Sequence, residues 1–438
     1  MNKIYRLIWS KARNCLVVVA ENATSVVKSS GEGQVGSHAG QTQWALRLAA
    51  FMAFSGLLCP PFALSQVQTA IVTDGRTQTT VSSNGNVYGV STTTITGNNA
   101  FNSFKTFNVG AGDTVNLNVP TSAINLINLV RDQRTDIYGV LNAIKDGRIG
   151  GKVWFVNPNG FVVGASGIVN VGSLTLTTST TQFVDNFFTA SGAADTASVN
   201  LLLAGQAPRN ADGQIVIDGQ INAIDDISLS AGTINVGGTL YSGARFVGSA
   251  PDFTDVVNAN GLTSGSALVV SQEGHIQIVA DQDVTLSGTL SAQGANGVDG
   301  GTVSVQAGGD IQLTSGALIT TEGHGTDSAN GDITLTSSGS GLGTAAIDIN
   351  SATIKGGDIT LVASNAYDLS ILPVQVPVTG ASITIHSSDI DASGQLSATA
   401  DVTVDASTSS LSPLATITTV STAKVDVTGS SQLHSGGD

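Results

Sequence analysis

Cysteine is almost missing from this chain, and what there is sits at one end. Cys15 and Cys59 both fall within the first 65 of 438 residues, so no disulfide can staple the rest. A secreted protein ordinarily uses an oxidising compartment to form such bridges. Two readings of the absence stay open: a chain that must thread a narrow pore unlinked, or a regular β-solenoid that needs no staples. Charge is scarce as well. Asp, Glu, Lys and Arg make up 11% of the sequence, against about 25% in ordinary globular proteins. Cations are scarcest of all, since residues 246–438 carry Lys355 and Lys424 alone. That excludes the clustered cations that nucleic acid demands. Long apolar runs are lacking too. The longest candidate, residues 48–59, falls short of the roughly 20 residues a membrane helix needs, so no stable membrane span is expected.

What is present points to long, regular β-structure. Hydrophobic residues are 41% and Gly occurs 52 times, with abundant Ser, Thr, Asn, Val and Ile. Such a chain is too apolar to be disordered. Of 17 Lys/Arg and 32 Asp/Glu, residues 1–65 hold six and two, and the remaining 11 and 30 give a net charge of −19. This balance suits a soluble, self-repelling surface protein. No catalytic constellation stands out. His275, His324, His386 and His434 lie at unrelated spacings, and Asp225-Asp226 is the only adjacent acid pair after residue 65. A β-helical polysaccharide-degrading enzyme would gather acid–base groups on neighbouring coils. Neither an enzyme, nor a cofactor, nor a metal site is therefore expected.

Residues 1–65 form an export signal of unusual length. Residues 48–59 make an apolar core after Arg47, and Ala63-Leu64-Ser65 offers a small-x-small cleavage pattern. Upstream lie Met1, Asn2, Lys3, Tyr5, Arg6, Trp9, Val18 and Glu21. Their order resembles the extended signal peptide region of very large type V secreted proteins of Gram-negative bacteria. The resemblance implies passage through the periplasm and then across the outer membrane.

Residues 66–190 read as short strands and turns. Asn84-Gly85-Asn86 and Gly97-Asn98-Asn99 are turn sequences. Thr114 to Val119 alternates, with Val115, Leu117 and Val119 on one face. Two apolar segments flank Asn157-Pro158-Asn159-Gly160. Pro158 pushes Asn157 to an extended backbone, and Asn159-Gly160 supplies a positive-φ pair that closes a tight hairpin. Both flanking strands are apolar on both faces, so at least part of this hairpin is covered. The charged stretch Arg131 to Asp136 reads as a solvated excursion.

Three blocks carry a family likeness: Phe101-x-Ser103-Phe104-x-x-Phe107-Asn108-Val109, Gly151 to Gly160, and Val169 to Leu174. They resemble the secretion domain of filamentous haemagglutinin-like proteins, the exported partners of two-partner (type Vb) secretion. The resemblance implies an N-terminal cap and first coils of a right-handed parallel β-helix. It implies a dedicated outer-membrane pore transporter as partner, and a role for Asn157, Pro158, Asn159 and Gly160 in recognition by that pore.

After residue 190 a phrase recurs: Asp, Ile or Val, any residue, then Leu or Val. It begins at Asp226, Asp283, Asp310, Asp332, Asp358 and Asp401. A period in the low twenties signals a solenoid. At about 22 residues per coil, the chain after residue 65 predicts about 17 coils and roughly 80 Å of rod at ~4.8 Å per stacked strand. Stacked in register, the Asp residues would repel. They are expected to cap turns through their own backbone, the other reading being a cation among them. The division expected is thus 1–65 extended signal peptide, 66–190 secretion domain starting an all-β, right-handed parallel β-helix, and 191–438 β-helix repeats. The function expected is a secreted or cell-surface adhesin with an unidentified receptor. Its alternatives are the truncated stalk of a contact-dependent toxin and a polysaccharide-active β-helix enzyme.

Overall fold

A computed structural model describes residues 5–10, 15–20, 67–189, 192–243, 246–247, 250–251, 274–294, 297–340, 344–368, 380–405 and 423–436. The chain divides into two units, Met1–Leu64 and Ser65–Asp438. In the first, Tyr5–Ser10 pairs antiparallel with Cys15–Ala20, Leu7 opposite Val18. The apolar core 48–59 and the cleavage pattern at Ala63 to Ser65 lie outside the described residues.

The second unit is a right-handed parallel β-helix whose walls are three sheets of twelve, nine and thirteen strands. Each coil passes from a first face to a second and then a third. One full coil runs His275–Ala280, Val284–Leu286, Thr289–Ser291, and the next runs Thr302–Ala307, Ile311–Leu313, Leu318–Thr320. Corresponding residues stack: Ile276 on Val303, Val284 on Ile311, Leu290 on Ile319. A cap closes the N-terminal end. There Ala70–Thr73 runs antiparallel to Asn99–Asn108, and Thr79–Asn84 antiparallel to Val87–Thr92.

Alternation decides what fills the interior. On the first face, Leu126, Val153, Leu174, Ile227, Ile276, Val303, Ile333 and Ile359 form one inward column. Each is at most 1% exposed. Burying such a side chain stabilises by about 1.5–3 kcal/mol. No strand could bury its apolar pair alone, so the column holds only when neighbouring coils stack in register.

Among the described residues the coils are fewer than the repeat predicts. The first face carries twelve strands, two of them antiparallel additions in the cap. Among the described residues, ten stacked first-face strands at ~4.8 Å per step make roughly 45 Å. The error lies in the period. Asp310 precedes a second-face strand and Asp332 a first-face strand, so the 22 residues between them span part of a coil. True coil steps include 27 residues (Ile276 to Val303) and 26 (Ile333 to Ile359). Others lengthen to 53 (Leu174 to Ile227), because the chain leaves the wall at a corner and returns.

The aspartates also act differently from expectation. Asp283 Oδ1 accepts the backbone N–H of Asp310 at 2.8 Å, and Asp332 Oδ1 that of Asp358 at 3.0 Å. Asp310 Oδ1 accepts from Ala346 N–H at 3.0 Å, and Asp358 Oδ1 from Gln395 N–H at 2.8 Å. Each carboxylate thus caps the coil stacked on it and not its own turn. A corner N–H has no strand partner, and a stacked carboxylate is the nearest acceptor.

The excursion after Thr177 folds back over the first face. It holds α1 (Thr181–Asp185), capped by Thr180, and α2 (Thr196–Leu203), capped by Asp195. The hydrogen bond from the Ser198 backbone N–H, then that from its hydroxyl, holds the Asp195 carboxyl below the usual carboxylate range. Phe183, Val184, Phe187, Phe188, Val199 and Leu202 pack on Phe101, Ile127, Leu129 and Val156, the outward residues of the early coils. That cover explains strands apolar on both faces. Later strands, such as His275–Ala280, alternate buried and solvent-facing residues because nothing described covers them.

Phe187 is fully buried and its ring meets those of Phe101, Phe183 and Phe188 at 5.6–6.1 Å. Phe187→Ala is expected to destabilise the folded chain by about 3–5 kcal/mol. Denaturant unfolding followed by circular dichroism checks this, and a loss under about 1 kcal/mol would mean the helices contribute little to the stack.

Candidate functional site

The segment Asn157-Pro158-Asn159-Gly160 is a corner and not a hairpin. Lys152–Val156 before it belongs to the first face, and Phe161–Val163 after it belongs to the second. The two strands lie in different walls of one coil. Gly160 alone in the turn takes positive φ, at 100°, and Asn159 does not. A Cβ on Gly160 would also sit 2.7 Å from the Gln214 carbonyl oxygen, so both backbone and space require glycine here.

The polar groups of the turn are spent on neighbouring coils. The Asn157 carbonyl accepts from Gly160 N–H at 3.2 Å, which closes the turn. Asn157 Oδ1 accepts from Asn159 N–H at 2.9 Å. Its Nδ2 donates to the Gln133 carbonyl at 2.9 Å and to Thr135 Oγ1 at 3.0 Å. Asn159 Nδ2 donates to the Arg131 carbonyl at 2.8 Å. On the other side, Asn210 Nδ2 donates to the Pro158 carbonyl at 2.9 Å. The motif therefore ties its own coil to the corner below and to the returning excursion above. Asn157, Pro158 and Gly160 are buried, and Asn159 is the member exposed to solvent.

The corner below is Arg131 to Arg134, between Asn125–Val130 and Thr135–Ile137. The expectation is an excursion from the helix, but the corner stays in the wall, since Arg131 and Asp132 donate their backbone N–H groups to Phe104 and Lys105 of the coil below. Arg131 binds Asp185 of α1 at 2.7 Å, and Arg134 binds Asp136 at 2.8 Å. Beside it lies a buried ion pair that the sequence does not advertise. Asp74, its side chain 1% exposed, takes the Arg76 guanidinium at 2.8 Å. The Ser103 hydroxyl donates to Asp74 at 2.7 Å. Arg76 also donates to the Val184 carbonyl at 3.0 Å and lies 5.1 Å above the Phe188 ring. This cluster fastens the cap to α1. Burial raises the Asp74 pKa, but the Arg76 backbone N–H, the Ser103 hydroxyl and the Arg76 charge together outweigh it. They hold the carboxyl below its ordinary value.

A second feature does have a sequence signal that was missed. Asn116, Asn142, Asn170 and Asn222 stack on the third face. Asn142 Nδ2 donates to Asn116 Oδ1 at 3.1 Å, Asn170 to Asn142 at 2.8 Å, and Asn222 to Asn170 at 2.9 Å. Each sits between two small or aliphatic residues, as in Val115-Asn116-Leu117 and Val169-Asn170-Val171. A repeated apolar-Asn-apolar triplet is the signal. Among the described residues, no group of three His, Cys, Asp or Glu side chains is placed to hold a metal ion.

With this geometry in place, likeness to known proteins is informative. A family described as "TPS secretion domain" matches residues 69–335, more than half the chain. The chain belongs to the TPS secretion domain family. A second description, "Extended Signal Peptide of Type V secretion system", matches residues 1–50. Two solved structures are similar. One is the HMW1 secretion domain from Haemophilus influenzae, at 14% identity, covering 77% of this chain and 100% of that one with a TM-score of 0.33. The other is the filamentous hemagglutinin secretion domain, at 16% identity, covering 82% and 99% with a TM-score of 0.33. No curated protein matches the chain in sequence. As a TPS-domain protein with an extended signal peptide, the chain is a two-partner secreted exoprotein, and a dedicated transporter is its partner.

The lowered pKa of Asp74 makes a prediction of definite sign. Its stabilisation is present above the unfolded carboxylate value, about 3.9, and is lost as pH falls through the lower folded value. Stability measured by denaturant unfolding is expected to fall below about pH 4, and part of that slope should vanish in Asp74→Asn. An unchanged slope would show that the pair contributes nothing to acid sensitivity.

Proposed function

We propose that this TPS-domain protein is an adhesin-type exoprotein with no enzymatic role, retained in part at the bacterial surface. The observation that supports the reading is the character of the later coils. Their outward positions alternate with the core and carry mostly small or polar residues, Thr334, Thr336, Ser338 and Ser340 in Ile333–Ser340 and Ala346, Asp348 and Asn350 in Ala345–Asn350. A regular wall of this kind offers lateral contact area and few converging acid–base groups. Residues 66–190 would carry the recognition that secretion needs, within the secretion-domain match that runs on to residue 335, and the coils after residue 190 would also offer the surface for attachment.

Within the secretion segment, Asn157, Pro158, Asn159 and Gly160 would form the surface that the transporter reads. Asn159 would make the direct contact, since it is the exposed member, and Arg134 flanks it with a side chain 53% exposed. Asn157 would act by holding the turn, because its side chain is buried and bonded on every side.

Secretion separates these roles. Asn159→Ala is expected to keep the unfolding transition within about 1 kcal/mol of the parent yet cut transporter-dependent release into the medium several-fold. Asn157→Ala is expected to lower both, with about 1–3 kcal/mol lost, since it strands buried polar partners. Unchanged release of Asn159→Ala would remove the turn from recognition. For attachment, beads coated with the secreted chain are expected to adhere to host or bacterial cells above the level of uncoated beads. Equal adherence would sink the adhesin reading.

A further inference from the structure

Beside α2, the outer surface of the first face carries a groove of about 620 Å³. One wall is the end of α2 and the chain after it, from Leu202 to Ala207. The floor is the outward side of Ser173–Thr177, Ile227–Ala231 and His275–Ala280. Parallel register lays this floor in columns along the helix axis. Trp154, Thr175, Ser228 and Gln277 stand one above another, and a second column runs from Thr177 to Gln306. The step between members is ~4.8 Å, similar to the advance of one sugar unit in an extended glycan.

Three properties narrow the ligand. The floor offers hydroxyls and amides, which both donate and accept, as a polyhydroxylated ligand requires. Trp154 is half-buried at one end, where an apolar ring face can pack against it. The charges cancel: Arg209 is held by Asp281 at 2.6 Å, and Lys152 shares the groove with Asp226. Ser173 also lines the groove, 7% exposed, and its hydroxyl has no hydrogen-bond partner among the described residues. A peptide strand would need an open sheet edge, and this floor is a sheet face. A polyanion would meet a chain of net charge −15 with no free cation cluster in the groove.

We propose that this groove binds a neutral oligosaccharide laid along the helix axis, one ring against Trp154 and the others hydrogen-bonded to Thr175, Ser228 and Gln277. A groove of this size lies within the usual range for small-ligand sites, about 300–1,000 Å³. The binding does not depend on the adhesive role, because it is read on the isolated chain.

The test uses the secreted chain freed of residues 1–65. Removing Trp9 and Trp44 leaves Trp154 as its only tryptophan. Its fluorescence is titrated with neutral tetrasaccharides: β-linked glucose, β-linked N-acetylglucosamine, α-linked glucose and α-linked mannose. A sulfated tetrasaccharide is titrated in parallel, and calorimetry repeats each titration. A saturable change in Trp154 emission is expected with at least one neutral glycan and none with the sulfated one. Gln277 is solvent-facing, so Gln277→Ala should leave the unfolding transition in place. That variant is expected to weaken binding roughly tenfold, the loss of one or two hydrogen bonds. Silence from the whole neutral panel by both methods, binding of the sulfated glycan alone, or unchanged affinity in Gln277→Ala would each overturn the proposal.

Discussion

Every strand in the helical unit exposes N–H and C=O groups along both edges until the coils above and below supply partners. That constraint governs the rest of the structure. Satisfying the backbone demands parallel stacking in register. Register in turn puts like residues over like, as in the column from Leu126 to Ile359. The same repetition gathers polar groups into ladders. The stacked asparagines on the third face bond to one another, and the aspartates at the corners accept N–H groups from the next coil. A ladder of aspartates would otherwise be a repulsive feature. Here Asp283, Asp310, Asp332 and Asp358 each accept a backbone N–H that the corner leaves without a strand partner.

The early coils obey a further constraint, since their first face is apolar on both sides and must be covered. The excursion with α1 and α2 provides that cover. Its placement has two consequences for function. It brings Asn210 and Gln214 against the turn at Asn157 to Gly160, so the motif is locked from both sides. It also ends part-way along the wall, and the groove beside Leu202 lies at the step from the part it covers to the part that no described residue covers. Secretion and ligand contact would thus share one element, with the motif corner serving the first and the exposed step the second.

The scarcity of charge fits this arrangement. Ion pairs in the described residues concentrate near the cap and the excursion, where Arg76, Arg131 and Arg134 find Asp74, Asp185 and Asp136. The coils beyond rely mainly on aliphatic columns and hydrogen bonds, with pairs such as Lys424–Asp426 few among the described residues.

Much of this was legible in the residues. The alternation at Thr114 to Val119, the Asp-Ile-x-Leu phrases and the glycine-rich turns determine inward columns and hence a solenoid, because side-chain direction in a strand has a strict period of two. The blocks around Phe101, Trp154 and Val169 determine the family. Other features were decided only by tertiary structure. Asn157 to Gly160 reads locally as a hairpin turn, yet it bends the chain between two walls, because its flanking strands find partners in other coils. The coil count is hidden from the sequence for the same reason: the phrases at Asp310 and Asp332 look equivalent but lie on different faces. The Asp74–Arg76 pair is local, but the contacts that bury it, Ser103 and Val184, and the lining of the groove beside α2 come from distant parts of the chain. Local sequence dictates which way a side chain points; which segments become neighbours depends on where the chain leaves the wall and returns, and that is settled by packing.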